Sequence, residues 1–167
     1  MGVNLRDLLV SKEISFKDLN NKILAVDGFN MLYQFLTTIR TGDGTPLMDS
    51  KGNVTSHLIG LFNRTASFLQ KGLKPVFVFD GKTPELKSRE LAKRKELKQE
   101  ARAKYKIAVK KKDIHAMKKY AGRFSYLSKE MVEQAKELVR LLGLPVVQAA
   151  SEGEAQASYL VKKGDAW

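Results

Sequence analysis

Ile23-Leu24-Ala25-Val26-Asp27-Gly28 and Val76-Phe77-Val78-Phe79-Asp80-Gly81 share one pattern: a short apolar run, then an aspartate, then a glycine. Runs this apolar, rich in β-branched and aromatic residues, fit strands covered on both faces, as in a parallel sheet. Each aspartate then stands where a strand ends and a loop begins, the edge at which α/β proteins bind ligands. A third strand, Leu144 to Ala149, runs into Ser151-Glu152-Gly153-Glu154 and brings two more carboxylates toward the same edge. Four acids from three loops, on a chain that is otherwise strongly basic, suggest a metal site acting on a polyanion.

Between the strands the apolar spacing becomes helical. Leu32, Phe35, Leu36 and Ile39 predict a helix from Phe29 to Ile39, ended by the turn chemistry of Thr41-Gly42-Asp43-Gly44-Thr45-Pro46. A second helix is predicted from about Ser56 to Lys71, stopping at Gly72. Strand, helices and strand in this order make a right-handed crossover, which puts Asp27 and Asp80 at the same end of the sheet. Ser128 is placed to cap a helix to about Leu142, closed by Gly143 and Pro145. A last helix is expected from Ser151, and Asp165-Ala166-Trp167 reads as the turn into a fourth strand.

At 167 residues and 43% hydrophobic content the chain suits one domain, or most of one. It has no cysteine, which excludes disulfide scaffolds and thiolate metal sites. No apolar run approaches the ~20 residues of a bilayer span, and the N-terminus lacks a signal pattern. The expectation is a soluble, cytoplasmic monomer with no membrane association. The net charge is +12, and the segment from Lys82 to Arg123 holds 16 Lys and Arg against 5 Asp and Glu. From Glu85 to Ala121 that segment has neither Gly nor Pro and is composed largely of good helix formers, so an exposed helix or a pair of helices is expected. Leu86, Leu91, Leu97, Ala101, Tyr105, Ile114, Met117 and Tyr120 are its sparse apolar positions. Lys87, Arg94, Lys98, Arg102, Lys106 and Lys110 form a winding cationic stripe, suited to concentrating phosphates.

Each acidic signal has a plainer alternative. A single Asp-Gly after a strand is an ordinary turn; two of them on buried strands favour ligands, and carboxylates suit Mg²⁺. Ser151 with Glu154 three residues on is a capping box, which accounts for Glu154 without a metal but leaves Glu152 unexplained. Gly153 in a first helical turn costs about 1 kcal/mol relative to Ala, which implies a close approach of backbone to something. Haloacid-dehalogenase chemistry needs a second Asp two positions after the first, where Phe29 and Lys82 stand here. No phosphate-binding Gly-rich loop is present. His57 and His115 stand alone and read as structural or solvated.

Across all 167 residues the chain resembles the N-terminal part of the flap endonucleases, structure-specific 5′ nucleases, most closely the archaeal type. Met1-Gly2-Val3, Val26-Asp27-Gly28, Tyr33-Gln34-Phe35-Leu36, Thr55-Ser56-His57-Leu58 and Lys74 to Lys82 carry the likeness. Leu86-Lys87, Leu91-Ala92-Lys93-Arg94 and Ser151-Glu152-Gly153-Glu154-Ala155 extend it. The resemblance implies a mostly parallel α/β sheet flanked by helices, a 5′-nuclease or PIN-like fold, with a basic helical arch at about 82–127. It implies Asp27, Asp80, Glu152 and Glu154 as ligands of two Mg²⁺ ions, replaceable by Mn²⁺, and Lys87 and Arg94 as catalytic cations on the scissile phosphate. Gly2, Tyr33, Arg40, Thr55, Lys98 and Arg102 would contact DNA, with Tyr33 stacking on a base and Thr55 lining the pocket for a 3′ flap. The implied activity is hydrolysis of branched DNA in replication, including Okazaki-fragment maturation, and in repair.

The family carries three further aspartates, a helix-turn-helix element and a tail for the sliding clamp, all beyond Trp167. This 167-residue chain is therefore expected to be the N-terminal part of the nuclease domain, with an incomplete metal site and little activity alone. Sibling exonucleases and excision-repair nucleases fit the same residues, as does a non-catalytic nucleic-acid-binding module whose acids only cap and turn.

Overall fold

The computed structural model describes residues 12–81 and 88–167. Among them three strands form one parallel sheet, β1 (Ile23–Asp27), β2 (Lys74–Phe79) and β3 (Val146–Gln148), in the spatial order β1-β2-β3. The register pairs Asp27 with Val78 and Phe79 with Gln148. Asp27 therefore closes β1 and Asp80 follows β2 at the same edge. Phe77, Val78 and Phe79 are fully buried, so β2 is covered on both faces as its unbroken apolar run requires. The third strand is shorter than the expected Leu144 to Ala149, because Pro145 has no N–H for the ladder.

The described residues include six α-helices: α1 (Gly28–Thr38), α2 (Ser56–Gln70), α3 (Ser88–Lys110), α4 (Ile114–Ala121), α5 (Lys129–Leu141) and α6 (Gly153–Lys163). The core joins Leu32, Phe35 and Leu36 of α1 to Leu61 of α2, Phe77 and Phe79 of β2, and Val132, Ala135 and Val139 of α5. Burying each of the larger of these side chains stabilises the fold by about 1.5–3 kcal/mol. Gly60 lets α1 and α2 cross closely, since a Cβ there would meet the Phe35 ring and lie 2.7 Å from Ile39 Cδ1. The Ser128 hydroxyl accepts the Met131 amide at 3.1 Å and starts α5 as its sequence predicts.

The basic segment is a pair of helices. Lys112 takes a left-handed φ of 54° and Asp113 then caps α4, accepting the Ala116 amide at 2.9 Å. The corner is made without glycine. Of the segment's sparse apolar positions, Leu97 and Ile114 are 56% and 57% exposed. Burial falls on small residues, Ala101, Ala108 and Ala121, which let α3 pack closely against α4 and the 3-10 turn Gly122–Phe124. No helix among the described residues is long and apolar enough to cross a membrane.

Candidate metal and nucleic-acid site

Asp27 ends β1 and caps α1: its Oδ1 accepts the Asn30 amide at 2.9 Å. This carboxylate is both a helix cap and a group aimed at the sheet edge. Asp80 lies just past β2, and its Oδ1 accepts the Gly153 amide at 2.6 Å, at the first turn of α6. Gly81 passes so close to the third strand's exit that its amide donates to the Ser151 carbonyl at 2.6 Å, and a Cβ there would lie 2.7 Å from the Ala150 carbonyl oxygen. The Gln148 amide group spans the same gap, donating to the Phe79 carbonyl at 3.2 Å and to that of Asp80. The β2 and β3 loops are thus stitched together at the edge.

The helix start expected at Ser151 falls one position later. Glu152 is the N-cap residue, makes no side-chain cap bond itself, and α6 begins one turn position later at Gly153. The cap comes from Asp80, just past β2, and the approach is close: a Cβ on residue 153 would stand 2.7 Å from Asp80 Oδ1, the movable end of that side chain. Glu154 in the first turn is stabilised by the positive end of the helix.

Electrostatics bring the acids together. Burial pushes Asp27 above the usual aspartate range, against the Asn30 amide, and the negative charges of Glu154 and Asp80 push it further. A buried carboxylate with acidic neighbours is relieved by a cation. The donors are all oxygen, the chemistry Mg²⁺ prefers. The fit is one of donor type and charge: among the described residues no three acidic side chains close around a common point as the ligands of one ion would. Asp27, Asp80 and Glu154 share a field, and Glu152 adjoins them through Gly153.

The other expected site residues divide. The Lys98 ammonium lies over the Tyr33 ring, 5.3 Å from its centroid, so α3 reaches across α1 at the aromatic expected to stack on a base. Arg102 is exposed one turn further along α3. Thr55 precedes α2 as its N-cap residue without a side-chain cap bond, leaving that task to the backbone. Arg40 is turned inward and bonded to protein. Arg94 lies on the α3 backbone, while Gly2 and Lys87 fall outside the described residues. His57 is fully buried in α2; burial lowers its basicity, and Gln134 opposes that shift.

Residues 1–101 match the XPG N-terminal domain family. The chain belongs to this family. It is 52% identical to Flap endonuclease 1 of Staphylothermus marinus and 54% identical to that of Ignicoccus hospitalis, in each case across the whole chain and 49% of the relative. The chain spans about half the length of the curated relatives it matches. Among solved structures it superposes on flap endonuclease-1 from Methanococcus jannaschii with a TM-score of 0.70 at 49% identity, covering 99% of this chain and 53% of that one. It also superposes on the catalytic core of Rad2 in complex with DNA substrate, with a TM-score of 0.64 at 26% identity, covering 93% and 38%. The expected 5′-nuclease fold is therefore the fold observed.

Proposed function

We propose that this chain forms the N-terminal half of a structure-specific 5′ flap endonuclease that hydrolyses branched DNA in replication and repair. The observation that carries this reading is that Asp27, at the end of β1, and Asp80, just past β2 and holding the Gly153 amide of α6, stand at the same edge of the sheet. The extended likeness to Flap endonuclease 1 relatives supports it.

Asp27, Asp80, Glu152 and Glu154 would hold two divalent ions, Mg²⁺ or Mn²⁺, which supply an activated water and stabilise the attacking and leaving oxygens of an in-line displacement. The products are a 5′-phosphate and a 3′-hydroxyl. Lys87 and Arg94 neutralise charge on the scissile phosphate. Tyr33 offers a stacking face to a base, Thr55 lines the 3′-flap pocket, Gly2 contacts the DNA, and Lys98 and Arg102 track the phosphates of a strand passing through the arch. Clamp binding belongs to the family's tail, outside this sequence. The 167 residues alone are proposed to bind DNA but to cleave it poorly.

A second reading, a non-catalytic DNA-binding module, is favoured by one observation: Asp27 and Asp80 already accept backbone N–H groups. Calorimetric titration with Mn²⁺ separates the two. The nuclease reading expects a binding heat that Asp80→Ala removes. A flat titration of the parent chain, with DNA binding intact, selects the module.

A further inference from the structure

Among the described residues most cations of the basic segment face solvent; Arg40, two residues past the end of α1, does not. Its Nη1 donates to the Gly44 carbonyl at 2.7 Å and its Nη2 donates to Ser125 Oγ at 2.5 Å, while Nε is shielded from water. The Ser125 hydroxyl passes the contact on by donating to the Gly122 carbonyl at 3.1 Å, in the turn where the basic segment ends. Tyr105 of α3 is near enough for its phenol to bear on the guanidinium charge.

The other end of this clasp is itself well ordered. Residues 41–46 form a loop closed by the Arg40–Pro46 bridge and by the Thr41 amide on the Thr45 carbonyl. Asp43 is held down to about 2 by hydrogen bonds from Thr41 and Thr45. Buried Ser56 fastens the following stretch, donating to the Ile39 carbonyl and accepting the Leu47 amide, both at 2.8 Å. Thr55 stands immediately before it.

We propose that Arg40 is a positioning residue: a clasp between the 41–46 loop and the base of the arch, in place of the phosphate contact expected from sequence. A guanidinium suits this work because its donors sit in a rigid fork and reach two acceptors at once, which an ammonium does not do. Both bonds are charge-assisted and partly shielded, so they are stronger than neutral ones. Two of its five N–H donors are thereby committed to protein. Joined in this way, the loop leading to Thr55 and the helix bearing Lys98 and Arg102 keep one relative placement. The functional meaning of that placement rests on the nuclease reading; the clasp itself does not.

Hydrogen exchange on the 167-residue chain tests the clasp, with salt-dependent binding of a DNA duplex as the second readout. Arg40→Lys and Ser125→Ala are each expected to speed exchange of amides in 41–46 and 122–127 roughly tenfold, with lysine failing to rescue. Arg40→Gln is expected to leave the slope of log affinity against log salt unchanged. Exchange unaltered in Arg40→Lys and Ser125→Ala overturns the proposal, and so does a slope lowered by about 0.9, the signature of a lost phosphate contact. If Arg40→Gln fails to fold by circular dichroism, Ser125→Ala, which keeps the charge, decides the matter by exchange alone. A flat Mn²⁺ titration with the clasp intact would remove the nuclease reading without touching this one.

Discussion

The Gly153 amide donates to Asp80 Oδ1 at 2.6 Å, so a carboxylate at the end of β2 caps a helix that starts 73 residues later. One oxygen thereby links the start of α6 to the proposed metal site, and two demands fall on it. As a cap it satisfies an amide that α6 cannot pair internally. As a ligand it would have to turn toward an ion.

Gly153→Ala probes that competition. The new Cβ would press on the tip of the Asp80 side chain, which is free to swing, and not on backbone. The lost cap bond is offset by the better helix propensity of alanine, so stability in urea should change by no more than about 1 kcal/mol. Mn²⁺ should bind at least as tightly as to the parent. A large loss of metal affinity would show that the capping orientation is the liganding one.

Asp27→Asn should stabilise the chain at neutral pH. Burial and the charges of Glu154 and Asp80 raise the folded-state pKa of Asp27. The folded chain therefore holds that proton more tightly than the unfolded chain does. The resulting stability is complete below the unfolded carboxylate range and is lost as pH climbs through the raised value. At pH 7 the ionised group is a net cost, and asparagine removes it while still capping α1. In chelator, thermal melts at pH 7 should rise by roughly 1–3 °C, with the gain vanishing below pH 4. A lower melting temperature at pH 7 would count against the shared field.

Gly81→Ala should be severe. Its Cβ would collide with the carbonyl oxygens of Ala149 and Ala150, which belong to backbone and cannot step aside. A loss of about 3 kcal/mol is expected from overpacking and the broken Gly81–Ser151 bond. Urea unfolding should show a lower midpoint with an unchanged m-value.

Tyr33→Ala should weaken binding to single-stranded DNA by about 1–3 kcal/mol. Lys98→Ala should instead reduce the salt slope for a single strand by about 0.7. Fluorescence anisotropy across a potassium chloride series distinguishes them. If Tyr33→Ala binds like the parent, the ring beneath Lys98 serves packing and not stacking.

Much of this architecture is legible in the chain because it depends on local pattern. The apolar runs before Asp27 and Asp80 mark buried strands wherever they occur, and Ser128 caps α5 through a bond spanning three residues. Tertiary substitutions are what the sequence conceals. Ser151 and Glu154 carry a capping-box pattern, yet α6 starts at Gly153 with its amide on Asp80, and nothing local in either segment announces the other. The inward turn of Arg40 depends on Ser125, 85 residues away, so composition counts it as one more cation. Ala101 and Ala108 anchor α3 where the larger Leu97 does not, because close helix approach favours small side chains over apolar bulk. Only the corner at Lys112 could have been read locally: Asp113 is a good N-cap residue, and its signal was submerged in the charge run.

That corner bears on how a strand would be received. A bend held by the Asp113 carboxylate on the Ala116 amide has its backbone angles already fixed. Much of the conformational entropy of setting the turn is then lost during folding of the chain itself. A strand that enters between the helices meets an elbow already bent, and less of its binding energy is diverted into shaping the doorway.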